Sequence, residues 1–261
     1  MEFVYNNLFL NQMKKQNISV FLSGAEQVGT SWCTLSLAQA LNMRQNKVLA
    51  VDGNGGLSNI SSYIMLQNPC YLEDYILGKK TLNQLVIAYK NRDFNFLIAK
   101  PGNKFLLNEP VGRIQLFSQD LQILSKNYDF TLIDLGSDIN NNNLSLLQIA
   151  KNVIILCSEE SVDLIKTLDL IKFINSLGFD VEYKIIINKV NSFEDGYKVY
   201  ERLNRAVERN GLNFPELLGI IRQDARIRDT IRNKELLLTR YPMSEAAQDI
   251  SDIVTKLSQG V

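Results

Sequence analysis

Short apolar runs, each followed by a longer amphipathic stretch, recur from residue 18 almost to the end of the chain. The runs lie at 18–23, 47–52, 94–99, 130–134, 153–157, 184–188 and 217–221, and they are rich in Val, Ile, Leu and Phe at successive positions. A strand that is apolar on both sides must be covered on both faces, which is the condition of a parallel sheet. Helical spacing of apolar residues appears at 31–43, 111–126, 161–177, 193–210, 225–233 and 244–257. Strand followed by helix, repeated, predicts an α/β chain with a doubly wound, mostly parallel sheet. No repeat and no Pro/Gly-rich linker interrupts it, and the one low-complexity tract is the asparagine run at 140–143. One domain over 18–261 is therefore expected. Residues 1–17 stand apart as an amphipathic segment carrying Phe3, Val4, Tyr5, Leu8, Phe9, Leu10 and Met13. In such sheets ligands bind beyond the carboxyl ends of the strands, here after Ser23, Asp52, Asp134, Cys157 and Asn188.

Composition removes several kinds of chemistry. The chain of 261 residues has no histidine, which excludes Ser-His and Cys-His nucleophiles and any histidine metal ligand. Cys33, Cys70 and Cys157 form no CxxC pair, so neither a zinc site nor a disulfide framework is indicated. They read as buried or half-buried thiols in a reducing cytoplasm. Lys plus Arg and Asp plus Glu are equal at 28 each, which gives no general pull toward nucleic acid or anionic membrane. No apolar run is long enough for a transmembrane helix, and the N-terminus lacks the marks of a secretory signal. A cytoplasmic protein is expected.

The first strand ends in Ser23-Gly24-Ala25-Glu26-Gln27-Val28-Gly29-Thr30-Ser31, and a helix starts at once. The spacing of Gly24, Gly29 and Ser31 is that of a phosphate-binding loop. Glycines let backbone N–H groups turn inward, and the helix N-terminus adds partial positive charge. A hydroxyl at the last position can hold Mg²⁺. A lysine precedes that hydroxyl in the standard motif, and Thr30 stands there instead. A plain strand-to-helix turn capped by Thr30 or Ser31 is the alternative.

The run SGAEQVGTSWCTLSLAQAL (23–41) resembles the SGKGGVGKT-type opening of the MinD/ParA family of P-loop proteins, which includes the flagellar-number regulators FlhG/FleN. VLAVDGNGGLSNIS (48–61), YDFTLIDLGSDI (128–139), IINKV (186–190) and LLGIIRQDARIRDTIRNKELLL (217–238) resemble the family's later segments in order. The FlhG/FleN branch is the most similar, through the Gly-Leu-Ser-Asn run and the Leu-Leu-Gly-Ile-Ile segment. The resemblance implies a P-loop fold of MinD/ParA type and a site for ATP or ADP with Mg²⁺. Gly24, Gly29, Thr30, Ser31, Asn188 and Arg222 would then touch nucleotide, and Ser31, Asp52 and Asp134 would hold the metal. Any catalysis would fall to Asp52 and Asp134.

The departures carry as much information. The family's signature lysine falls at Ala25 and its P-loop lysine at Thr30. Loop glycines fall at Glu26 and Gln27, the second aspartate after the second strand at Asn54, and a proline at Arg222. A charged hydrogen bond is worth roughly 1.5–3 kcal/mol net, so loss of both lysines weakens triphosphate binding by about 3–6 kcal/mol. That is roughly two to four decades in affinity. Transition-state charge also goes unmet. Efficient hydrolysis is therefore not expected, and any nucleotide binding should be weakened. Asp52 and Asp134 also have an alternative, as caps of the next turn, and Arg222 as a solvated surface charge.

The resemblance further implies a protein partner, in flagellar or polar machinery, and a homodimer that would lack its cross-subunit lysine. The last helix carries Ala247, Ile250, Ile253, Val254 and Leu257 with a single nearby cation, Lys256. That is too little charge for a membrane-surface helix, so packing on the sheet is expected and membrane association is not. Arg226, Arg228, Arg232 and Lys234 are interleaved with Asp224, Asp229 and Glu235, so no nucleic-acid surface is expected. A regulator or spatial organiser acting through protein contacts is the first expectation. A divergent but active ATPase in division or partitioning is the second, and a scaffold in pilus or secretion assembly the third.

Overall fold

The computed structural model describes residues 16–56, 59–66, 69–137, 139–140 and 144–259. The amphipathic segment expected at 1–17 and the asparagine tract therefore fall largely outside the described residues. The strands are β1 (Ile18–Ser23), β2 (Val48–Asp52), β3 (Ile87–Tyr89), β4 (Asn91–Leu97), β5 (Phe130–Gly136), β6 (Asn152–Cys157), β7 (Glu182–Val190) and β8 (Glu216–Arg222). The longer helices are α1 (Thr30–Met43), α2 (Val111–Ser125), α3 (Ser161–Leu177), α4 (Phe193–Glu208), α5 (Ala225–Asn233) and α6 (Glu245–Gln259).

The strands form one eight-stranded sheet in the order β3-β4-β2-β5-β1-β6-β7-β8. Every pairing is parallel except the edge pair of β3 with β4. This is the doubly wound sheet that the sequence predicts, with an added antiparallel edge. β1 lies between β5 and β6. The chain builds β2 and β4 to one side of it and β6, β7 and β8 to the other. Such a reversal opens a crevice at the carboxyl ends of the central strands.

Successive residues of the inner strands go to opposite cores, which is why their sequences are apolar without alternation. Val20, Leu22, Val153, Ile155, Ile185 and Ile187 join α2, α3 and α4 on one face. Phe21, Ile154, Leu156 and Ile186 join α1 and α6 on the other. α1 is buried on nearly its whole circumference, from Thr30 to Leu41, because α6 covers the side turned away from the sheet. The apolar stripe of α6, with Ile250, Ile253, Val254 and Leu257, is buried there against β8 and α1. Its packing on the sheet agrees with the sequence expectation. No helix among the described residues is long and apolar enough to cross a membrane.

Candidate functional site

The loop between β1 and α1 is shaped by its neighbours. Gly24 presses on α3 so closely that an added Cβ would stand 2.4 Å from the Lys166 carbonyl carbon. Gly29 has φ 101°, and a Cβ there would lie 2.6 Å from the Asn188 side-chain nitrogen. Gln27 also adopts the left-handed region, with φ 62°, at a position where the family has glycine. Three loop carbonyls are engaged by side chains. Asn188 Nδ2 donates to the Val28 carbonyl at 2.8 Å, Ser23 Oγ donates to that of Ala25 at 2.7 Å, and Lys189 Nζ donates to that of Gln27. Among the described residues no side chain caps the N-terminus of α1. Its first amides remain available to an anion.

The alternative, a cap by Thr30 or Ser31, is not formed. Thr30 is buried and its hydroxyl donates to Ser23 Oγ at 3.1 Å, inside the loop. Ala25 is buried too, while Glu26 is exposed. The loop thus keeps its curl and its amides but presents no lysine of its own.

The acid side of the site lies at the ends of β2 and β5, where Asp52 and Asp134 are register partners and fully buried. Asp52 Oδ2 accepts the Ser61 N–H at 3.3 Å, and Asp134 Oδ1 accepts the Gly136 N–H at 3.0 Å. Among the described residues Asp52 Oδ1 and Asp134 Oδ2 make no hydrogen bond of good geometry, although Ser31 and Asn54 stand near the Asp134 carboxyl. Burial pushes the Asp134 carboxyl up to about 6, against the opposing pull of Ser31, Gly136 and Asn54. Burial, and then the neighbouring charge of Asp134, push Asp52 well above the usual carboxylate range. Both carboxylate bonds are of the capping kind, Asp134 closing the turn to Gly136 and Asp52 meeting the start of the short helix Ile60–Tyr63. Asn54 donates from Nδ2 to Ser31 Oγ at 3.2 Å and accepts the Gly56 N–H at 3.0 Å. An aspartate at 54 could only accept from the Ser31 hydroxyl and could not donate to it. It would also add a further carboxylate beside Asp52 and Asp134.

A buried carboxylate oxygen without a partner is costly, and a divalent cation is one group that relieves it. Ser31, Asp52 and Asp134 fit such an ion. No group of three or more acidic, thiol or imidazole ligands occurs among the described residues. A cation here would rely on hydroxyl, water and phosphate oxygens as well, as Mg²⁺ commonly does.

The loop and the strand ends open on a cleft of 920 Å³ that Gly29, Thr30, Ser31, Asn54, Asn188 and Arg222 help to line. Gly24 lies against α3, and Asp52 and Asp134 are buried at the strand ends. Arg222 is not a solvated surface charge. Its guanidinium meets Asp249 at 2.9 Å and Glu245 at 2.7 Å and stacks 4.5 Å from the Phe193 ring centroid. It ties the end of β8 to the start of α6. Arg226 pairs with Asp224, whose carboxylate accepts the Arg226 N–H at 2.9 Å to cap α5, and Arg240 pairs with Asp229 and Glu235. Several cleft residues are not marked by any motif, Trp32 and Lys189 among them. Trp32, the single tryptophan, stands in the cleft wall at 6% exposure. Lys189 reaches the loop from β7.

An AAA domain family profile matches residues 24–187. The antiactivator FleN of Pseudomonas aeruginosa is 21% identical over 252 residues, covering 95% of this chain and 88% of FleN. The septum site-determining protein MinD of Pyrococcus horikoshii, solved in complex with Mg-ADP, superposes with a TM-score of 0.76 at 20% identity over 94% of this chain and 96% of its own. MinD of Aquifex aeolicus, from a MinC:MinD cell division complex, superposes with a TM-score of 0.75 at 20% identity over 93% and 96% of the two chains. The fold is therefore that of MinD/ParA P-loop proteins.

Proposed function

The chain belongs to the AAA domain family of P-loop proteins, and on that premise we propose that it is a MinD/ParA-type regulator that holds adenine nucleotide weakly, does not hydrolyse it efficiently and acts through protein contacts. The observation that carries this is the state of the loop. The Thr30 hydroxyl is spent on Ser23 inside the loop, Ala25 is apolar, and neither position offers a cation to a phosphate. Phosphoryl transfer needs charge stabilisation more than any other protein contribution.

In this proposal the backbone around Gly24, Gly29, Thr30 and Ser31 cradles the phosphates. Asn188 keeps the loop open by holding the Val28 carbonyl, beside the space for the base. Ser31, Asp52 and Asp134 would hold Mg²⁺, which supplies positive charge to phosphate oxygens when bound. Asn54 orients the Ser31 hydroxyl but cannot take a proton from an attacking water as a carboxylate can. Two relatives agree with a regulatory role. FleN is named an antiactivator, and MinD of Aquifex aeolicus was solved with its partner MinC. By its resemblance to FleN, the partner proposed here belongs to flagellar or polar machinery.

Phosphate release from Mg-ATP by the purified chain, set beside Asp134→Ala, tests the proposal. Release from the unaltered protein should not exceed that of the variant. Steady release abolished by Asp134→Ala would instead make this an active ATPase of the division or partitioning kind.

A further inference from the structure

The loop has lost its own lysines, yet an ammonium group rests on it from a different strand. Lys189 follows Asn188 near the end of β7, where the register with β8 shifts between Asn188 and Val190. Asn188 and Val190 are both buried and Lys189 between them is exposed, with φ 62°. A non-glycine residue is seldom held in that region without a local reason. Strand irregularities beside sites re-aim side chains in this way. Here the main-chain N–H of Lys189 is fixed by the Asn188 side-chain oxygen at 2.9 Å, and its ammonium donates to the Gln27 carbonyl. Its Cε lies 3.9 Å from where a Cβ on Gly29 would stand. Lys189 therefore flanks the same turn whose amides face the cleft.

The charge of this ammonium is uncommitted. Among the described residues no carboxylate forms an ion pair with it, whereas Arg222 in the same cleft is neutralised by Asp249 and Glu245. One of the three N–H donors of Lys189 serves the loop carbonyl, and among the described residues no acceptor meets the other two. We propose that Lys189 supplies the side-chain positive charge for a polyphosphate bound at this loop, in place of a lysine within the loop. The assignment rests on the nucleotide reading of the cleft given above.

Trp32 lines the same cleft and is the single tryptophan, so its fluorescence reports ligand directly. Mg-ATP, Mg-ADP and inorganic pyrophosphate are titrated into the full chain and into Lys189→Met, Lys189→Gln and Lys189→Arg. Removing the charge should weaken all three ligands by about ten- to a hundredfold. Lys189→Gln, which can still donate to the Gln27 carbonyl, should lose as much as Lys189→Met. Lys189→Arg should retain affinity within about fivefold, since the cation stays. Binding by Lys189→Met equal to that of the unaltered chain overturns the assignment and leaves the nucleotide reading standing. An equal loss in Lys189→Arg and Lys189→Met overturns it too, because shape and not charge would then matter. Failure of the unaltered chain to bind any of the three ligands ends both.

Discussion

The β1–α1 loop and the strand ends at Asp52 and Asp134 border the same crevice, and they have kept different things. The loop is curled as an anion cradle is and carries no cationic side chain of its own. The strand ends hold two buried acids, each with one oxygen that no described residue bonds in good geometry. The difference lies in what the fold itself demands. Gly24 cannot be replaced without moving the backbone of α3, and Gly29 cannot without displacing Asn188, so packing alone preserves the curl of the loop. Nothing in the packing requires a lysine at 25 or 30. The acids are the reverse case. They are unfavourable to folding, a cost that the cation proposed above would offset. Asn54 fits the same logic, since one negative charge fewer suits a site that lacks its lysines.

The cations around the cleft sharpen this contrast, because one of them belongs to the fold and not to a ligand. Arg222→Ala should cost about 2–4 kcal/mol of stability, since it leaves the buried Asp249 carboxylate without its charged partner. Urea unfolding at neutral pH measures it. A loss below about 1 kcal/mol would mean that Arg222 is not a brace and is free to serve a ligand.

A smaller effect of opposite sign is expected at the strand ends. The Asp134 carboxyl stands at about 6 in the folded protein against an ordinary value of 3.8. The folded state then holds a proton that the unfolded chain has released. Stability contributed by that proton is full below pH 4 and is lost as pH rises through about 6. Asp134→Asn should therefore stabilise the metal-free protein by about 1–3 kcal/mol at pH 8 and by nearly nothing at pH 4. Thermal melting with a chelator present, at both pH values, reads the difference. Equal effects at the two pH values would show that burial does not strain this carboxylate.

Much of the architecture is legible in the sequence because parallel strands buried on both faces leave long apolar runs. The edge strand β3 is not legible, since Ile87–Tyr89 is three residues long and antiparallel, too short for any period to show. The glycines of the loop and the acids at the ends of β2 and β5 can be placed from spacing and resemblance. Their surroundings cannot. The tie of Arg222 to Asp249 joins residues far apart in the chain, and the aim of Lys189 depends on a register shift between β7 and β8. The Thr30 hydroxyl could have capped α1. It turns to Ser23 instead, because the loop closes over it and leaves that oxygen as a near acceptor. Asn54 reads in sequence as a loss, while in space it is a donor to Ser31.

Calorimetric titration of Mg-ATP into the unaltered chain and into Thr30→Lys tests the central claim most directly. If the cradle is intact and lacks only loop charge, the restored lysine should tighten binding by about ten- to a hundredfold. Equally tight binding by both proteins, in the range of an intact P-loop, would contradict the account.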